Sequence, residues 1–323
     1  MTYVTRVFAA AALLLSAAPL GQAQELQSGK PIRIIVGLAA GGGTDVMARL
    51  VAAKMSENMK ANVIVENKAG GNFIPALREL TSAPADGHTL FFISTSTLIT
   101  QPLHKDYPFD LTKLTPITQV ATGPLILVAK NALGVKTLKE LVDRAKANPN
   151  KVSFGAGGGT GSSLYFATEL LKSKTGMQVN IVSYKGAAPA LNDLLGGHID
   201  AMFDAMPAMA PMVQEGKVTA IAVTSAKRSA ALPNVPTIQE SGYPDFEMSG
   251  WFGILAPAGT PPAVAQKLRD EVAKAVSDKG VIATLAKQGM EPLATQPGEW
   301  LKYMQSEIAT YSKIIKDANI KQQ

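Results

Sequence analysis

Cysteine is missing altogether from the 323-residue chain. That removes a disulfide framework, a thiol nucleophile and a thiolate metal site. Histidine is nearly as scarce: His88, His104 and His198 stand in no metal-ligand spacing. A zinc centre or a His-dependent hydrolase starts with few parts, and no G-x-S-x-G elbow is present to hold a serine nucleophile. The net charge of +6 is spread without basic clusters, which argues against nucleic-acid binding. Long hydrophobic runs are lacking too, since the most apolar stretch, Val7 to Leu15, falls well short of the roughly 20 residues that span a bilayer.

That stretch belongs to "MTYVTRVFAAAALLLSAAPLGQAQ", where Arg6 precedes the apolar run and Gly21 and Ala23 are spaced for a signal peptidase. Residues 1–23 read as a secretory signal peptide, cut after Ala23, and the protein as exported. The chain beyond Ala23 is long enough for two domains of about 150 residues each.

Apolar β-rich runs alternate with helical patterns along this chain, which predicts parallel sheets covered by helices. "IRIIVGL", "NVIVEN" and "HTLFFIST" read as strands, with helices over 44–59 and 73–82 between them. A second series starts at "PLILVAK" and continues through "KVSFGA", "VNIVSY", "HIDAMFD" and "VTAIAVTSA". Its first helix opens on "TLKE", a capping-box spacing of Thr137 and Glu140. "SGWFGILAPAGTP" reads as one more strand. Three helical stretches come after it, at 261–278, 280–289 and 297–316, with no strands of their own. Strandless helices at the end of an α/β chain pack back on an existing sheet, so the chain is expected to cross between lobes near 120–125 and 246–252. The expected division is 24–123 plus 250–323 for lobe 1 and 124–249 for lobe 2, with a hinged cleft between them.

Two glycine-rich loops each follow a strand and open a helix: "LAAGGGTDVMARL" in the first lobe and "FGAGGGTGSSLYFATELL" in the second. Ligands of open α/β sheets sit at the carboxyl ends of strands. A helix N-terminus there offers unpaired N–H groups and partial positive charge, and so favours an anion without any basic side chain. Neither loop has Walker spacing, because Asp45 and Gly161 follow the two "GGGT" runs. Asp45 falls in the first turn of its helix, where it either complements the dipole or meets an amino group of a ligand. Ser94, Thr95 and Ser96 supply hydroxyls at a strand end, as do Thr160, Ser162 and Ser163 in the second lobe; each is a donor to a carboxylate or a local cap. Tyr184 ends a strand and could wall the cleft. Asp204 ends another, as a ligand contact or as a cap for the helix at Pro207.

These segments, with "PADGHTLFFISTSTL", "VSYKGAAPALNDLLGGHIDAMFD" and "GKVTAIAVTSAKRSAALPNVPTIQESGYPDFEMSGWFGILAPAGTP", closely resemble the Bug-type, TctC-like solute receptors of tripartite tricarboxylate transporters. The likeness covers essentially all of the chain after the signal segment. It implies an α/β, two-lobed periplasmic binding protein fold of type II-like form. Such a protein closes on a small mono- or dicarboxylate, holds it through amides, hydroxyls and water, and uses no cofactor. It also implies a monomer that passes its ligand to transporter membrane subunits, or serves a sensor kinase. An exported enzyme using the same cleft is the rival reading. Carried over by matching position, the site residues are Ala40, Gly42, Gly43, Thr44, Asp45, Ser94, Thr95, Ser96, Gly158, Gly159, Thr160, Gly161, Ser162, Ser163, Tyr184 and Asp204. Two departures bear on pocket shape. "ENKAGGN" stands where the family has a longer glycine-rich segment, and Tyr165 stands where it often has His. Tyr165 and Tyr184 would then favour an aromatic or extended ligand.

Overall fold

The structure is a computed structural model that describes Leu26 and residues 29–322. The expected signal segment, 1–23, lies outside the described residues.

The first-lobe series begins with β1 (Ile32–Val36), α1 (Gly43–Met59), β2 (Val63–Asn67), α2 (Ile74–Ser82) and β3 (Thr89–Ser94). β3 forms where β-branched and aromatic residues fill a fully covered surface, all of "TLFFIS" being buried, whereas β2 stays partly exposed at the sheet edge. α1 buries a stripe through Met47, Val51 and Met55, all at 0% exposure, and ends where Lys60 turns into the left-handed region at φ 49°. β1, β2 and β3 run parallel, as expected.

The middle of the chain departs from expectation. A nine-residue helix, α3 (Thr95–Leu103), follows β3 directly. Its Thr and Ile content and Pro102 hid it, because β-branched residues and an internal proline both speak against helix. Its burial, with Leu98, Ile99 and Leu103 at 0% exposure, overrides that preference. Next comes β4 (Thr115–Ala129), a 15-residue strand where only the last third was expected. Pro116 and Pro124 argue against a central strand, and the ladder accommodates the first with a register shift between Pro116 and Thr118.

The second-lobe series is α4 (Leu138–Ala147), β5 (Ser153–Gly157), α5 (Ser163–Thr175), β6 (Asn180–Tyr184), α6 (Ala187–Leu195), β7 (Ala201–Ala205), α7 (Met206–Gln214) and β8 (Thr219–Val223). The capping box of Thr137 and Glu140 is formed at the start of α4. The chain returns through β9 (Ser249–Ala256), α8 (Pro262–Val276), α9 (Lys279–Lys287), β10 (Glu291–Pro292) and α10 (Pro297–Asp317). β10 corrects the expectation that this last stretch has no strand; its two residues pair with Thr122 and Ala121 of β4.

The sheet is mixed rather than parallel. The strand order is β2-β1-β3-β9-β4-β7-β5-β6, with β8 and β10 also paired to β4. β9 is antiparallel to β3 and β4, and β4 is antiparallel to β7 and β8. The parallel expectation fails because β4 and β9 lie between the two parallel series and run against the strands they pair with. β4 pairs with β9 from Thr115 to Pro124 and with β7 and β8 from Leu125 to Ala129, so it joins the lobes without a break. α8 packs on α1 and β4, and α10 on α3 and β4. Gly253 admits the Trp300 ring, since a Cβ there would lie 2.2 Å from Trp300 Cζ2.

Candidate ligand-binding site

A small cavity, about 30 Å³, lies where the lobes meet. Its floor is formed by Leu125 from β4 and Gly250, Trp251 and Phe252 from β9. Its walls are the starts of helices. Gly42 and Gly43 begin α1, Ser94 and Thr95 begin α3, Ser163 begins α5, Ala187 begins α6 and Ala205 precedes α7, and all line the same space. α1, α3, α6 and α7 have no side-chain cap, whereas Ser162 caps α5 by accepting from the Tyr165 amide. Several positive helix ends and their uncapped first-turn amides therefore surround one small volume. Among the described residues, no Lys, Arg or His lines it.

Two buried side-chain oxygens at this cavity lack a hydrogen-bond partner: Ser94 Oγ and Asp204 Oδ2. Ser94 is the N-cap residue of α3, yet its hydroxyl does not cap the helix. Asp204 is 3% exposed; its Oδ1 accepts from the Ala205 amide at 2.7 Å. Burial pushes its carboxyl up to about 7, against the pull of that amide. Buried polar atoms are ordinarily satisfied, so both oxygens are available to something that enters the cavity.

The lobes touch around this space. Ser96 Oγ and Ser163 Oγ are 2.7 Å apart, and the Ser163 amide donates to Ser96 Oγ at 3.3 Å. Thr100 Oγ1 donates to the Gly161 carbonyl at 2.7 Å, and the Ala39 amide to the Lys185 carbonyl at 3.3 Å.

The profile of the tripartite tricarboxylate transporter family receptors (TctC) matches residues 47–320. The chain belongs to this family. The receptor is 32% identical to protein BugT of Bordetella pertussis over 98% of this chain and 99% of that protein. Its fold superposes on the periplasmic binding protein BugD with a TM-score of 0.86 at 31% identity, covering 91% of this chain and 99% of BugD. On R. palustris Rpa4515 with adipate the TM-score is 0.85 at 32% identity, covering 91% and 99% of the two chains. The family's receptors are two-lobed periplasmic solute-binding proteins. Among the described residues of this receptor, no helix is long and apolar enough to cross a membrane.

Of the residues singled out in the sequence, the structure brings Gly42, Gly43, Thr44, Asp45, Ser94, Thr95, Ser96, Ser163 and Asp204 to the cavity. Within that set the roles differ. Asp45 accepts from the Gly41 amide, Asn67 Nδ2 and Arg49 Nε. These bonds outweigh its burial and hold its carboxyl below the usual range. Its acceptor sites are used within the lobe, so it fastens the glycine loop. Thr95 Oγ1 accepts from the Trp251 amide at 2.9 Å, which anchors α3 to the crossing strand. Asp204 does not cap α7, whose N-cap is Ala205.

The structure places Ala40, Gly158, Gly159, Thr160, Gly161, Ser162 and Tyr184 outside this cavity. Ala40 is exposed. The second glycine loop departs from the expected anion cradle because both its key amides are spent: Gly158 N and Gly159 N donate to the Tyr184 carbonyl at 2.9 and 3.0 Å. Gly161 instead packs against His104 and Thr100 of the other lobe, where a Cβ would lie 2.5 Å from His104 Cε1. The loop is thus a strut between lobes that delivers the first turn of α5, Ser163 and Leu164, to the cavity. Tyr184 donates its hydroxyl to Asp193 Oδ2 at 2.6 Å and, with Gly158 and Gly159, lines an outer groove facing Gly70, Gly71 and Asn72. Tyr165 is half-buried and also off the cavity. The aromatic lining is Trp251 and Phe252 in the floor, which the sequence pattern marks only as strand.

The "ENKAGGN" segment lies over that outer groove. Gly70, Gly71, Asn72 and Phe73 have φ of 101°, 57°, 49° and 66° in succession. Two of these are not glycine, a strained arrangement, and Asn72 Nδ2 is tied to His104 Nε2 at 2.7 Å.

Proposed function

We propose that this receptor captures a small organic carboxylate between its lobes, with lobe 1 formed by 24–123 plus 250–323 and lobe 2 by 124–249. The observation that carries this reading is the convergence of uncapped helix N-termini on a cavity that, among the described residues, is lined by no basic side chain. Backbone amides and serine hydroxyls there match a carboxylate, and partial helix charge balances one negative charge without a salt bridge. The adipate bound in Rpa4515 supports the ligand class. Trp251, Phe252, Leu125 and Leu164 leave apolar surface for the rest of the ligand. We read the receptor as a binding protein rather than an enzyme, exported through its first 23 residues. It acts as a monomer and hands its cargo to the membrane subunits of a tripartite tricarboxylate transporter.

Closure then supplies the signal. The hydroxyl pair Ser96–Ser163 and the Thr100–Gly161 bond form only when the lobes meet, so a ligand that contacts both lobes shifts the population toward the closed form. The test is a thermal-shift panel of aliphatic and aromatic mono- and dicarboxylates with nucleotides as controls. Stabilisation by a carboxylate is expected, because a ligand that binds only the folded state raises its stability. Stabilisation by nucleotides alone would overturn the reading.

A further inference from the structure

Asp204 poses a charge problem to any carboxylate receptor, and its solution rests on the carboxylate reading. It is a carboxyl group at the wall of the cavity, 3% exposed, with Oδ2 unpartnered. The titratable groups on the packed elements offer it no cation. α1 brings Asp45 and Arg49 near the cavity, and these are paired with each other. Farther along, α1 carries Lys54 and Glu57, which form a pair. α6 brings Asp193, bonded to Tyr184 of β6. α5 brings Tyr165 and, farther along, Glu169, Lys172 and Lys174. β4, β5, β8 and α7 bring none. Of all these only Asp45 lines the cavity.

A ligand carboxylate in the same cavity would face the buried Asp204 side chain. Two carboxylates sharing such a site do not both stay ionised, and the usual resolution is one shared proton. The helix ends favour placing the remaining negative charge on the ligand, which lies among the amides.

We propose that Asp204 enters the complex as a neutral carboxylic acid whose Oδ2–H donates to an acceptor oxygen of the ligand, so that capture is coupled to a proton. The consequence is specificity. A ligand that presents a carboxylate or carbonyl oxygen to Asp204 is accepted, and one that presents an ammonium group there is not favoured. Proton coupling also gives release a direction, since a ligand carried to a more alkaline environment binds less tightly.

The experiment is calorimetric titration of the intact receptor with succinate, adipate, malate and benzoate. It runs from pH 6 to 9, where these ligands remain ionised, in buffers of low and high ionisation heat. For a probe that binds, affinity should be flat up to the free protein's carboxyl titration near 7. It should then weaken by about tenfold per pH unit above it. Proton uptake from buffer should be near zero at pH 6 and approach one at pH 8.5. Asp204→Asn supplies an amide N–H in place of the acid O–H, and should bind at both pH values without the pH dependence or the uptake. Circular dichroism and melting of the variant establish that it is folded. Affinity that is unchanged or rises from pH 6 to 8.5 would overturn the proposal, as would loss of binding in a folded Asp204→Asn at pH 6. The last result would make Asp204 an ionised acceptor for a hydroxyl or ammonium group. Those outcomes leave carboxylate capture standing, whereas failure of every probe at pH 6 overturns both readings.

Discussion

Ser96 Oγ sits 2.7 Å from Ser163 Oγ, so that the first turn of α3 in one lobe is tied to the first turn of α5 in the other. Both side chains are buried and both line the cavity. On the proposed function, opening the cleft would break this contact, which ties it to ligand capture as much as to packing.

Ser96→Ala and Ser163→Ala should each remove about 1 kcal/mol from the closed form, the ordinary net worth of a hydrogen bond. Carboxylate affinity should then fall about fivefold by calorimetry. The double variant should lose little more than Ser96→Ala alone, because Ser96 Oγ takes part in both the hydroxyl pair and the bond from the Ser163 amide. Additive losses would mean that each hydroxyl contacts the ligand separately.

Gly43 governs how closely the lobes approach. A Cβ at that position would lie 2.8 Å from Ala205 Cβ, a methyl fixed to the backbone that cannot swing aside. Gly43→Ala should preserve folding of each lobe, since alanine suits a helix start. It should weaken ligand binding by about 10- to 100-fold, equivalent to the ~1–3 kcal/mol of an overpacked contact. Small-angle scattering with ligand would show a larger radius of gyration than wild type. An unchanged affinity would show that α1 and α7 separate freely.

The legible parts of the fold were those whose local pattern and tertiary setting agree. The period of α1, the capping box at Thr137, the turns before α5 and α6, and the alternation of strand and helix were all plain, as were nine of the cavity's residues. The illegible parts were those where long-range packing overrides local preference. α3 is helical despite Pro102 because its face is buried between lobes, and β4 persists through Pro116 and Pro124 because β9 pairs with it throughout. The glycine loops looked alike, yet Gly158 and Gly159 turn their amides to the Tyr184 carbonyl. That choice depends on the neighbouring strand and leaves no trace in the loop itself. Trp251 and Phe252 were missed because a strand that alternates faces gives no sign of which side meets a cavity.

Asp45 should matter for stability rather than specificity. Its three hydrogen-bonded neighbours hold the carboxyl below its ordinary value. A depressed acid contributes stability that is present above the unfolded-state pKa of about 3.9 and is lost as pH falls through the folded value. Asp45→Asn should cost about 1–3 kcal/mol at pH 7, as expected for hydrogen bonds to a charged group. The difference from wild type should shrink below pH 4 in urea titrations. Equal stability at pH 7 would remove Asp45 as the fastening of the first glycine loop.

Tyr184→Phe separates the outer groove from the cavity. The hydroxyl's burial and its bond to Asp193 push its titration up to about 12, so at neutral pH the tyrosine is a plain donor. Removing it should cost about 0.5–1.5 kcal/mol of stability and leave carboxylate affinity within about twofold, which is the additivity expected of a site with no shared partner. A loss of tenfold or more would bring the groove into the ligand path.

The ligand-free receptor should also register Asp204. Its carboxyl lies above the unfolded value, with burial as the main cause. Between those two values the folded state binds more protons than the unfolded one, so stability falls as pH rises from about 4. The fall should level off once the folded carboxyl has titrated near 7. Asp204→Asn removes the charge that burial penalises while keeping the shape. Its melting temperature should therefore exceed that of wild type at pH 8 and converge with it near pH 4. This comparison needs no ligand, and its sign is opposite to that for Asp45, so the two variants measured side by side control for each other. Equal melting curves for wild type and Asp204→Asn across that range would mean that the unpartnered Oδ2 is hydrated in the free receptor and carries its charge at no cost.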